Sequence, residues 1–189
     1  MIPRLARLVL LCALAVSSAA LAACGDKEDI RTIGETEGLY LDVGGLKYQV
    51  QISRYLNPAD LEDEGYLVGV PATERPDDDE TWFGIFLRVQ NTGEETLPAA
   101  REFTIEDTQG NVYRPVAVDT NVNVFAYEPR DVPPHGLIPH PDSPAGNGPT
   151  QGAALLFRLT IDTTQNRPLE FHIVSPDNPD EVGIVDLDV

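Results

Sequence analysis

The chain is 189 residues long, with 31 acidic against 13 basic side chains, a formal charge of −18, and 2 cysteines. A surface this negative is repelled by nucleic acid and by anionic headgroups, so DNA and RNA are excluded as partners and the charge serves solubility or cationic partners. The length suits one domain plus accessory segments.

Arg4 and Arg7 precede an apolar run from Leu8 to Val16 and the small residues Ser17 to Ala20, which is the order of a secretory signal peptide. The run is too short for a membrane span. Leu21-Ala22-Ala23-Cys24 follows and resembles the lipobox of bacterial lipoproteins. That resemblance implies a thioether-linked diacylglycerol on Cys24, cleavage just before it, and an acylated N-terminus that anchors the protein in a bilayer. Two or more acyl chains hold stably where a single chain holds only marginally. Arg4-Leu5-Ala6-Arg7 is no twin-arginine pair, so the general secretory route is expected. Gly25 after the cysteine supplies no aspartate retention cue, and which membrane carries the anchor stays open; the expected location is the outer face of the plasma membrane or the periplasm.

Loss of residues 1–23 leaves 166, with 11 basic against 31 acidic side chains. Cys12 departs with the leader and Cys24 is taken by lipid, so the domain has no disulfide, thiolate ligand or thiol nucleophile. Methionine is absent too, and with it the soft ligand a copper(I) site would use.

Residues 24–45 read as an acidic, glycine-containing tether that spans roughly 25 Å as a flexible coil. The domain is then expected over residues 46–189. Leu46, Tyr48, Val50 and Ile52 alternate with polar residues as a half-buried strand requires. Tyr66 to Val70, closed by Pro71, reads as a weak edge strand, and Pro76 to Glu80 as a charged loop. Thr81 to Asn91 is the strongest strand and is expected at the centre of a sheet. One face carries Phe83, Ile85, Leu87 and Val89, while Trp82 and Phe86 add bulk to the other. Asn91-Thr92-Gly93 ends it as a turn. Arg101 to Asp107 and Val112 to Arg114 form a hairpin with Gly110 at its tip.

Val116 to Tyr127 reads as an irregular strand. Glu128 to Gly152 holds seven prolines and four glycines, which exclude helix and interior strand and leave a long loop. Ala153 to Ile161 and Leu169 to Ile173 share one alternating pattern and are expected to pair as a hairpin, and Val185, Leu187 and Val189 place a strand at the end. No amphipathic helix and no fixed-period repeat is visible.

Short half-apolar strands separated by turns predict an all-β fold of two packed antiparallel sheets. The run Trp82 to Gly93, then Phe103 to Asp107 with Gly110-Asn111-Val112-Tyr113, then Leu155-Leu156-Phe157 resembles immunoglobulin-like domains of unknown function in bacterial surface lipoproteins, akin to immunoprotective secreted antigens. The likeness covers residues 46–189 and rests on structural turns. It implies an immunoglobulin-like antiparallel β-sandwich and an envelope location, and no activity. The proline-rich loop departs from that pattern and leaves strand order between Val116 and Ala153 open.

His135 and His140 lie five apart in that loop and, with Asp142 and His172, could supply ligands to zinc or copper. Asp77, Asp78, Asp79 and Glu80, near Asp60, Glu62, Asp63 and Glu64, offer hard oxygens for calcium, although a solvated loop is the favoured reading. Asp119 to Asn123 opens like an EF-hand loop, but Val124 and Arg130 stand where glycine and glutamate are needed. Gly146 to Gly152 precedes a strand instead of opening a helix and is no phosphate loop. Ser53, Ser143 and Ser175 lie in no nucleophile motif, so no catalytic residue is assigned. Phe125, Tyr127 and Leu137 mix apolar groups with prolines, as docking surfaces do. The expected function is therefore a lipid-anchored, non-catalytic binding or protein-interaction module that uses no cofactor, touches the bilayer through Cys24 and meets another envelope protein. A metal-binding envelope lipoprotein is the alternative.

Overall fold

The period-two segments form strands because each has one face to bury, and the computed structural model shows which faces meet. It describes residues 31–187, so Cys24 and the leader lie outside the described residues. Twelve strands are present among them: β1 Ile33–Gly34, β2 Tyr40–Val43, β3 Leu46–Leu56, β4 Glu80–Gln90, β5 Leu97–Pro98, β6 Glu102–Glu106, β7 Val112–Tyr113, β8 Asp131–Val132, β9 Leu137–Ile138, β10 Ala153–Thr160, β11 Leu169–Val174 and β12 Val182–Leu187. One sheet runs β10-β4-β3-β2, with β9 also on β4, and the facing sheet runs β1-β12-β11-β6-β7. Between them Tyr48, Phe83, Ile85, Leu87 and Phe157 meet Phe103, Ile105, Phe171 and Ile173, all buried. Phe171 stacks on Phe103 and takes the edge of Phe157.

The chain is a β-sandwich with immunoglobulin-type wiring. Taking β3, β4 and β10 as strands A, B and E, and β6, β11 and β12 as C, F and G, reproduces the order E-B-A against C-F-G. The expected pairing of Ala153–Ile161 with Leu169–Ile173 is corrected by this wiring, since β10 pairs β4 and β11 pairs β6 and β12. Between β10 and β11 the chain makes a 3-10 turn, Ile161–Thr164. There the buried Thr163 donates its hydroxyl to Thr160 O at 2.6 Å and redirects the chain across the core. Two facing strands share the same alternation as two paired ones, so the pattern does not separate the cases.

The expected tether also ends earlier than residue 45. Val43-Gly44-Gly45-Leu46 is a tight hairpin, with φ of 56° and 74° at the glycines. Positive φ at both central positions matches the strand twist and is open to glycine. The hairpin carries Leu41 and Val43 fully into the core. Upstream, Arg31 O accepts from Asp42 N at 2.7 Å and Thr32 O accepts from Ile184 N at 2.8 Å. Residues 31–34 therefore bond to both sheets and close one edge of the sandwich, with β1 parallel to β12.

A second apolar cluster lies on the outer face of the β4 sheet, where Leu56, Trp82, Phe86, Ala154 and Leu156 are buried. Helix α1, Leu61–Tyr66, covers it with Tyr66. This corrects the edge strand expected at Tyr66–Val70: Asp60 caps the helix by accepting from Glu62 N and Asp63 N, and Leu67 to Val70 form its exit turn. Arg54 fastens the helix, donating to buried Asp63 at 2.5 Å while its guanidinium lies 5.9 and 5.8 Å from the Tyr66 and Phe86 ring centres. Asp63 also accepts from Asn57 N at 2.7 Å.

Residues 116–127, expected as an irregular strand, make only a single parallel bridge, Ala126 to Ala154 of β10, and their turns are held by polar clasps. The buried Asn123 donates to Tyr66 O and Val68 O, both at 2.8 Å. The proline-rich segment contains β8, β9 and a one-turn helix α2, Pro144–Asn147, and buries Val132, Ile138 and Ala145. Asn91 clasps it by donating to Val132 O at 2.9 Å. Where β5 leads into β6, Ala100 is held on both sides: its N–H donates to Tyr48 at 2.7 Å and its carbonyl accepts from Tyr127 at 2.9 Å. Burial pushes the Tyr48 phenol up to about 12 and the Tyr127 phenol well above its usual value.

The Asp107-to-Tyr113 hairpin has a carboxylate at its heart. Asp107 accepts from the Gln109 and Asn111 backbones and from the side chains of Asn111 and Asn166. Burial pushes its carboxyl up, but these donors outweigh burial and hold it below the usual range. For Asp63 burial again pushes up, and Arg54 with the Asn57 N–H brings it down.

Two expectations follow from this packing. Leu41→Ala will cost about 2–5 kcal/mol in denaturant unfolding, as for other fully buried leucines; a change within error would return residues 31–45 to tether status. Asp63 and Asp107 have depressed folded pKa values, so their stabilisation is complete above the unfolded value of about 3.9 and is lost as pH falls through the folded ones. Tm will therefore drop below about pH 4, and more shallowly in Asp107→Asn. Identical acid profiles for the two proteins would remove Asp107 from that account.

Candidate functional site

Beside the second cluster lies a groove of about 500 Å3 lined by α1, its exit turn and the start of β4. Its apolar floor is Trp82, Leu67 and Val70, and Glu64, Arg75, Asp77 and Glu80 stand around it. The local sequence dictates this form. Gly69 takes φ of 79°, and a Cβ there would meet Val122 and Asp119 O at 2.8 and 3.0 Å. Pro71 then starts a 3-10 turn over Ala72–Glu74.

The acidic run Asp77 to Glu80 is a turn that feeds β4. Glu80 N donates to Asp77 O at 3.0 Å, and Asp77 N donates back to the Glu80 carboxylate at 3.1 Å. Arg158 of β10 sits between Glu80 and Glu74, at 3.7 and 3.8 Å, and offsets their charge. Asp77, Asp78 and Asp79 remain exposed to water. Tyr66, beneath α1, has its phenol pushed up by burial and donates to Glu62 at 3.1 Å.

The sequence-predicted ligands stay apart. The His135 side chain is 70% exposed and lies 3.9 Å from Glu94, whereas His140 is 66% exposed and lies 3.9 Å from Asp142. His172 sits on β11 with Glu170 at 3.2 Å. Among the described residues no three His, Cys, Asp or Glu side chains come together to hold a metal.

The expected contact face is also redistributed. Tyr127 is buried in the main core, because its ring packs edge-on against Phe103 and its hydroxyl holds Ala100. Phe125 is half-buried with its ring edge-on to Tyr66, and Leu137 is half-buried in β9, opposite Gln90 of β4. Sequence reasoning missed Trp82, Leu67 and Val70 as one surface. The available signal was Trp82 and Phe86 on the face of β4 opposite its main apolar stripe, which requires a cover that some other segment must supply.

The rim carries Glu64, Asp77 and Glu80 against Arg75, with Arg158 partly offsetting Glu80. The lining contains no serine, cysteine or histidine.

No family model matches the chain, and no curated protein matches it. Among solved structures it is similar to the yjhA protein from Bacillus subtilis, at 11% identity over 82% of this chain and 99% of that one, with a TM-score of 0.47. It is likewise similar to an uncharacterized β-sandwich protein from Clostridium difficile 630, at 11% identity over 87% of this chain and 99% of that one, with a TM-score of 0.46. Likeness at this level transfers no residue's role to this chain.

Proposed function

We propose that the chain is a lipid-anchored cell-envelope protein acting as a non-catalytic binding module, with the groove over Trp82 as its contact surface for a cationic, apolar segment of another envelope protein. The observation that carries this reading is the groove itself, an apolar floor ringed mainly by carboxylates on a chain of charge −18. A field of that sign steers cations toward the rim, and the floor then rewards apolar burial. The leader and lipobox pattern supports export and acylation of Cys24. No observation favours the metal-binding alternative, whose histidines are far more exposed than ligands in a built site.

Trp82 is the chain's one tryptophan, so its emission reports the groove directly. Titration of the purified full chain with a short Lys- and Leu-containing peptide is expected to change that emission saturably, whereas a Glu- and Leu-containing peptide leaves it unchanged. Val70→Lys will weaken the first by about tenfold or more. Equal responses to both peptides, or none, would reject the groove as a cation-selecting surface. Separately, cells fed a labelled fatty acid will label the wild type and not Cys24→Ser, and equal labelling would remove the anchor.

A further inference from the structure

Six residues beyond Trp82, on the same face of β4, Arg88 enters a different environment. It lines a pocket of about 100 Å3 with Gln51, Asn147 and Gln151, walled by Leu137 and Pro139. The pocket is built by specific backbone devices. Gln51 sits at a register shift of β3, between Val50 and Ile52, where a bulge re-aims a side chain. Gly152, with φ of 121°, lets the α2 loop lie flat on β4: a Cβ there would stand 2.7 Å from Phe86 C. Ser143 caps α2 by accepting from Gly146 N, and the Gly152 N–H donates to Ala145 O, which fixes that loop.

The half-buried Arg88 side chain has neither ion pair nor hydrogen bond among the described residues, and the side-chain amides of Asn147 and Gln151, both on exposed residues, have no protein partner there. Arg54 and Arg158, on the same sheet, are both paired with carboxylates. No carboxylate lines this pocket although the chain has 31 of them. A guanidinium drawn partly out of water is favoured by an anion that accepts its fork of N–H donors.

We propose that this pocket binds a carboxylate group, with Arg88 as its cation, the Asn147 and Gln151 amides as further donors, and Leu137 and Pro139 against the attached carbons. The volume corresponds to about three waters at roughly 30 Å3 each, which suits a carboxylate with a short apolar stem. One cation among neutral amides matches a monoanion better than a phosphate or sulfate dianion. The carboxylate can belong to a free short organic acid or to the C-terminus of a peptide.

The test uses the purified full chain at constant ionic strength set by chloride, with binding read from the side-chain amide signal of Asn147 and the Nε–H signal of Arg88 in NMR spectra. Acetate, propionate and an Ala-Ala-Leu peptide with a free or an amidated C-terminus are titrated in turn, then sulfate. Saturable shifts with acetate and propionate point to free acids. Saturation with the free-acid peptide alone, and not its amide, points to a chain terminus. Arg88→Gln will weaken the effective ligand by about tenfold or more, Gln151→Leu by less, and Arg114→Gln not at all. The proposal is overturned if no carboxylate saturates the signals, if chloride or sulfate shifts them equally, or if folded Arg88→Gln and Gln151→Leu proteins bind as the wild type does.

Discussion

Burial of both faces of β4 is the constraint from which the rest follows. A strand at the centre of a sandwich ordinarily sends one face inward and one to water, but β4 sends Phe83, Ile85, Leu87 and Val89 into the main core and Trp82 and Phe86 outward. Two large aromatics on an outer face demand a cover. Helix α1 and the 116–127 turns supply it, and the groove opens where that cover stops short over Trp82. Farther along the same strand the α2 loop settles on Gly152 and leaves the Arg88 pocket. Both candidate sites are thus margins of the covers over one strand.

Lids without regular structure need their backbone groups satisfied, and here buried polar side chains take that role. Asn91, Asn123 and Asp107 each replace several missing ladder bonds, while Tyr48 and Tyr127 hold the two sides of Ala100. Such side chains order proline-rich segments that cannot form their own ladders. The pockets consequently have walls fixed by hydrogen bonds as well as by packing.

Much of this was legible in the sequence. Alternation located β3, β4, β6, β10, β11 and β12, and the Asp-x-x-Gly-Asn turn located the β6–β7 hairpin. Where reading failed, the reasons are physical. Gly44-Gly45 carried a hairpin signal that the acidic residues around it obscured, although Leu41 and Val43 are fully buried. Tyr66 to Val70 looks extended because its apolar residues are contiguous, but Asp60 caps a helix just upstream. Facing and pairing strands have identical patterns, which concealed the crossing after β10. The Arg88 pocket depends on a bulge and a close backbone approach, and neither has a periodic signature. Histidines are conspicuous by type, yet type alone does not bring His135 and His140 together.

The closed edge at Arg31 bears on how the protein would meet a membrane. Six residues, Gly25 to Ile30, separate Cys24 from Arg31, and six extended residues reach about 20 Å at most. An acylated Cys24 would make that a short leash. Any pull on the lipid would be carried first by the two backbone bonds that join residues 31 and 32 to the two sheets.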